Sequence, residues 1–163
     1  MSLLTVDLVN EAIDLALPSV RAIAKRHTWS PEGVAIVVGG VGLDEPVEHV
    51  MEELGPEDTW SDRWGEHSDF RLYARKKMEV SLRTGRPSGE VVADAPWLLE
   101  EGDTFWQGGV AEDTSLAVGA SGIYGEADEA IAWIVWNIIR MLCLLAIRRR
   151  RDAGDKVLGD FGQ

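Results

Sequence analysis

The run AIAWIVWNIIRMLCLLAI at residues 130–147 constrains this chain most, with Glu126, Asp128 and Glu129 just before it and Arg148, Arg149, Arg150 and Arg151 just after. Acid at the start and base at the end complement the positive and negative ends of a helix, so one long helix is expected. The run approaches the length of about 20 apolar residues needed to cross a bilayer, and its basic flank would satisfy the positive-inside rule. Asn137 and Arg140 near its middle argue against a span, because a charge in hydrocarbon is costly. The expected fate is a helix buried on several faces by a sheet and a neighbouring subunit, with no membrane partner.

The rest of the chain must supply that sheet. Residues 5–27 place Val6, Val9, Ile13, Ala16, Leu17, Val20, Ile23 and Ala24 at steps of three and four, which predicts a helix with Thr5 as its N-cap. Pro18 predicts a kink or break near Leu17. The β-branched run at residues 33–39, between Ser30-Pro31 and Gly39-Gly40, predicts a buried strand, and residues 46–53 its hairpin partner. Residues 55–66, GPEDTWSDRWGE, show no period and predict a loop. Helical spacing returns over residues 68–84, with Gly85 as a left-handed cap and Pro87 preventing continuation. A helical turn is expected around Pro96, and strands over residues 104–107 and 115–121, separated by the turn-forming GGVAED. This order describes an α+β domain over residues 1–154, an antiparallel sheet of about five strands flanked by helices, with a tail at 155–163.

Charge excludes some partners. The net charge is -12, and residues 1–139 carry 10 Lys+Arg against 25 Asp+Glu, whereas residues 140–163 carry 6 against 3. So acidic a body repels DNA, RNA and anionic lipid, and nucleic acid is not an expected partner. The single cysteine, Cys143, cannot form an intramolecular disulfide, which fits a reducing compartment. No basic segment followed by an apolar one and a small-residue cleavage site opens the chain, so a cytoplasmic protein is expected.

Local motifs specify little chemistry. His27, His49 and His67 fall in separate elements without ligand spacing, and no metal site is expected from them. No G-x-S-x-G, P-loop or CxxC occurs, and Gly39-Gly40-Val41-Gly42 lacks the spacing of a dinucleotide fingerprint, so a tight hairpin accounts for it. Seven tryptophans stand at 29, 60, 64, 97, 106, 133 and 136. Trp133 and Trp136, one helical step apart, are expected in a core or interface, whereas Trp60 and Trp64 in WSDRW are candidates for a pocket rim. The junction from Val118 through Gly122 to Glu129 sets a strand end against a helix N-terminus, a place that can receive an anion. The acids Glu126, Asp128 and Glu129 favour plain capping there.

Two separated stretches together resemble the GlcG-like, haem-binding-protein family, also found as a domain of corrinoid adenosyltransferases. KMEVSLRTGRPS at residues 77–88 is similar to the family's lysine-bearing helix ending in G-x-P-[ST]. Gly108-Gly109-Val110, Ala117-Val118-Gly119-Ala120-Ser121-Gly122 and Asp128-Glu129 are similar to its GG-V-P, A-I-G-V-S-G and Q-D-E pattern. The opening LLTVDLVNEAI also resembles the family's first helix. The resemblance implies a profilin-like antiparallel sheet between helices that assembles into oligomers, here through the C-terminal helix. It also implies a small-ligand binding protein, with haem or a corrinoid as the family's cofactors, and it matches no haem-ligating residue to a position here. With the residue reading, it makes Arg75, Lys77, Gly108, Gly109, Ser121, Gly122, Trp60 and Trp64 the candidate ligand-binding residues. The other readings are a small enzyme acting on an organic acid or on haem, with Lys77, Arg75 and Ser121 in its pocket, and an assembly subunit without a ligand.

Overall fold

The computed structural model describes residues 2–27, 33–51 and 56–159; Trp29, Glu52 and Glu53 lie outside them. Helix α1 (Val6–His27) begins where the Thr5 hydroxyl accepts the Leu8 amide proton at 3.2 Å, the expected N-cap. It passes through Pro18 as one helix, so the expected break near Leu17 does not form. The carbonyl that Pro18 deprives of a donor belongs to exposed Asp14, where solvent can replace it.

Strands β1 (Ala35–Gly40) and β2 (Val47–Val50) form the expected hairpin, turning through Gly42 at φ +92°. After a loop come α2 (Phe70–Thr84), α3 (Ser88–Asp94), β3 (Gly109–Ala111), β4 (Leu116–Ser121) and α4 (Gly125–Asp152). Asp69 caps α2 by accepting the Leu72 amide proton, and Gly85 closes it at φ +70°, both as local chemistry demands.

Among the described residues the sheet has four antiparallel strands in the order β2-β1-β4-β3, one fewer than the expected five or so. The strand expected over residues 104–107 is absent. Pairing begins instead at Gly109, inside the segment expected to turn, and Phe105 and Trp106 project to solvent. Buried Ser88 accounts for the shift. Its hydroxyl donates to the Trp106 carbonyl at 3.2 Å and accepts from the Gly109 amide at 2.9 Å, which engages backbone that a longer strand would have paired. The sequence reading missed α3, which carries this serine.

The sheet is covered on both faces. Ile36, Val38, Val110, Val118 and Ala120 point to α1 and α4, while Ala35, Val37, Ala111 and Ala117 point to α2, Trp60 and Phe70. Helix α2 lies so close to β3 and β4 that a Cβ at Gly119 would stand 2.0 Å from the Ala74 carbonyl oxygen, and one at Gly109 2.2 Å from that of Lys77. The glycines of the GG-V and V-G-A-S-G segments are thus the seat of a helix.

Helix α4 is covered by its own chain over only part of its length. Ile131, Ala132, Val135, Trp136 and Ile139 are buried against the sheet and α1, but beyond Ile139 no residue of α4 is fully covered. Met141, Leu144 and Leu145 are exposed. By length and composition the helix would suffice to cross a membrane, and 28% of its most apolar 18-residue window is buried.

Candidate ligand-binding cleft

Where the end of β4 meets the start of α4, a cleft of about 350 Å³ opens. Helix α2 brings Phe70, Tyr73 and Lys77 to its wall, residues three and four apart on one helical face. The end of β4 contributes Ser121 and Gly122, and the first turn of α4 contributes Tyr124, Gly125, Glu126 and Asp128. Two surface segments form the mouth: Asp62, Arg63 and Trp64 on one side, Trp106 and Gln107 on the other.

At the base lies a buried ion pair. Lys77, only 3% exposed, donates from Nζ to Asp128 Oδ2 and to the Ala120 carbonyl, each at 3.0 Å. The other Asp128 oxygen, Oδ1, accepts the Ile123 amide proton at 3.0 Å. Burial pushes the Asp128 carboxyl up from 3.8 to about 6, although Lys77 and the amides of Ile123 and Gly122 pull it down. Gly108, at φ +135°, presses on this pair, where a Cβ would come within 2.9 Å of the Asp128 Cβ and 3.0 Å of the Lys77 Cδ.

The first turn of α4 is capped differently from the sequence reading. Tyr124 stands at the N-cap and makes no side-chain cap hydrogen bond, and Asp128 reaches back to Ile123 instead of to the helix's own first amides. Glu129 accepts from Gln107 Nε2, and Glu126 is exposed. The first intrahelical donor is Asp128 N to the Tyr124 carbonyl, so the amides of Gly125, Glu126 and Ala127 have no intrahelical acceptor.

The mouth is aromatic. Asp62 Oδ1 accepts the amide protons of Trp64 and Glu66 at 2.9 and 3.0 Å, a side-chain turn that holds the loop. Trp64, 65% exposed, stands 6.3 Å from Trp106 between ring centroids, and the Arg63 guanidinium lies 4.5 Å over the Trp64 ring.

The structure brings four of the candidate residues to this cleft, namely Lys77, Ser121, Gly122 and Trp64. Gly108 and Gly109 lie behind the wall, as contacts that let strand and helix approach. Trp60 is corrected from rim to core: it is 1% exposed, stacks on Phe70 at 5.4 Å and covers Gly33, because an indole over that glycine fills the space beneath α2. Arg75 is also displaced, pairing with Glu48 on β2, since two residues along a helix turn a side chain well away from Tyr73 and Lys77. Reading the sequence missed Asp128 as the partner of Lys77, and also Tyr73, Arg63 and Trp106. The one available signal was Lys77 itself, set among Phe70, Ala74, Met78 and Ser81 on the buried stripe of α2.

Haem fits this lining poorly. Among the described residues that line the cleft, tyrosine is the only side chain of the kinds found on haem iron, and the volume is at the small end of the ~300–1,000 Å³ range for small-molecule sites. Among the described residues no group of three or more His, Cys, Asp or Glu could hold a metal ion.

No family model matches the chain, and no curated protein matches it. Among solved structures, it resembles the crystal structure of the Klebsiella pneumoniae protein ORFY, described as DUF336, the GlcG-like family. The TM-score is 0.52 at 15% identity, over 84% of this chain and 90% of that one. The chain therefore shares the α+β fold of a DUF336 protein, with a four-stranded antiparallel sheet between helices and a long C-terminal helix.

Proposed function

We propose that this protein is a non-enzymatic, cytoplasmic small-ligand binding protein of the GlcG-like family, oligomeric through its C-terminal helix. The observation that carries the ligand clause is the cleft, with an aromatic mouth at Trp64 and Trp106 above a polar base at Lys77 and Ser121. Apolar walls with a few convergent polar groups are the usual composition of a small-molecule site. The lining favours an organic ligand smaller than a tetrapyrrole, so haem and corrinoid recede within this reading.

The oligomer clause is supported by the uncovered end of α4, where Met141, Leu144 and Leu145 face solvent next to Arg148–Arg151. Contiguous exposed apolar surface marks an interaction site, and the basic end of one chain complements the acidic body of another.

A second reading, a small enzyme acting on an organic acid, is favoured by the raised pKa of Asp128 in the cleft. Both its carboxylate oxygens already accept from protein donors, so the group is occupied as a base, and binding without turnover is preferred. Native mass spectrometry of untagged protein tests the proposal, with an absorption spectrum of the same sample. A defined oligomer carrying a small noncovalent mass supports it, and a monomer without bound mass contradicts both clauses.

A further inference from the structure

Several donors that lack protein acceptors face this one cleft. Ser121 is 5% exposed, lines the cleft, and its hydroxyl has no hydrogen-bond partner among the described residues. Lys77 uses two of its three ammonium protons, on Ala120 and Asp128, and the third has no acceptor among the described residues. The amides of Gly125, Glu126 and Ala127 open the 28-residue α4 with no side-chain cap, and Gly125 and Glu126 line the same cleft. A helix N-terminus without a cap favours negative charge, and a hydroxyl or ammonium with a proton to spare beside it can add a hydrogen bond to an anion there.

We infer that the cleft binds a small aromatic monocarboxylate, its carboxylate accepting from Ser121 Oγ and the first amides of α4, and its ring held between Tyr73 and the Trp64–Trp106 mouth. The inference rests on the ligand-binding reading and names its ligand class. A carboxylate supplies acceptors only, and Ser121 Oγ, the Lys77 ammonium and the first amides of α4 can each donate to it. One negative charge suits the place better than two: Lys77 is already balanced by Asp128, and of the other charged groups in the lining, Asp62 and Glu126 outnumber Arg63, so a second negative charge on the ligand would meet more repulsion than attraction. A flat ring matches the aromatic mouth, where Trp64 lies beside Trp106 and carries the Arg63 guanidinium on its ring.

Benzoate and its uncharged analogue benzamide, titrated into the ¹⁵N-labelled full chain, separate the alternatives. Benzoate is expected to shift the amides of Gly125, Glu126 and Ala127 and the Trp64 and Trp106 indole protons, with benzamide at least about tenfold weaker. Ser121→Ala should weaken benzoate about tenfold. Glu126→Gln, at an exposed position that does not endanger folding, should strengthen benzoate about two- to fivefold and leave benzamide unchanged. Equal binding of the two probes, or shifts at the tryptophans without shifts at the α4 amides, overturns the carboxylate site while leaving a ligand-binding cleft standing. If neither probe moves any cleft amide, the inference fails; the bound mass seen by native mass spectrometry then decides the ligand-binding reading separately.

Discussion

Replacing Lys77 by Met removes one member of a buried ion pair and keeps most of its aliphatic volume. Asp128 then loses its Oδ2 partner, the Ala120 carbonyl loses a donor, and Ile123 still donates to Oδ1. Breaking a buried pair from one side costs about 3–5 kcal/mol, because the remaining charge has been taken out of water. Here the cost has a ceiling. Without Lys77 the Asp128 carboxyl, already raised by burial, rises further and takes a proton more readily, so the loss should sit near the low end, about 3 kcal/mol. For a chain of this size that corresponds to a fall in Tm of ~6–12 °C. Urea denaturation of Lys77→Met, Asp128→Asn and the double variant provides the cycle. Asparagine still accepts from Ile123, so the double variant should recover ~2 kcal/mol of the summed single losses. A Lys77→Met loss below ~1 kcal/mol, or additive effects of the two changes, would falsify the picture of a buried pair that organises the cleft.

Other outcomes follow from the same geometry. Asp128 binds its proton more tightly when folded, with the pKa raised from 3.8 to about 6, so its contribution to stability is present below pH 3.8 and is lost as pH rises through 6. A carbon-detected NMR titration of that carboxyl should give a midpoint near 6, and an ordinary midpoint contradicts its burial; benzoate should bind more tightly as pH falls through 6, since neutral Asp128 unmasks Lys77. Trp60→Ala should cost ~3–5 kcal/mol in urea denaturation, while Trp64→Ala should cost under ~0.5 kcal/mol yet abolish probe binding; equal stability losses would refute their assignment to core and mouth. Leu144→Glu with Leu145→Glu should shift the mass measured by light scattering toward monomer, and an unchanged oligomer would place its interface elsewhere.

The elements that could be read from the sequence are those whose periodicity and caps are local. Thr5, Asp69 and Gly85 bound helices through contacts within a few residues, and the β1–β2 hairpin closes on itself. The misplaced third strand illustrates the opposite case, because Ser88, 21 residues away from Gly109, decides where pairing starts. Thr104, Phe105, Trp106 and Gln107 have the composition of a strand, yet the backbone of Trp106 is engaged by the hydroxyls of Ser88 and Thr104 instead of by a ladder.

The cleft was legible to about the same depth. Lys77 and Ser121 emerged through a resemblance, but the partner of Lys77 is 51 residues on, and no spacing rule connects them. Trp60 and Trp64, four residues apart in one loop, looked alike in sequence. They separate only because Gly33, from another part of the chain, offers one of them a buried seat. Arg75 shows the same limit, since only the position of Glu48 on β2 decides that it turns away from the cleft.

The most direct test of the central claim is an amide-shift screen of the ¹⁵N-labelled protein against a library of small organic molecules. The account predicts that binders cluster on residues 121–127 and on the indole protons of Trp64 and Trp106, and that the Trp64→Ala variant loses them. Binders that map to another surface, or keep their affinity in Trp64→Ala, would contradict the assignment of this cleft as the ligand site.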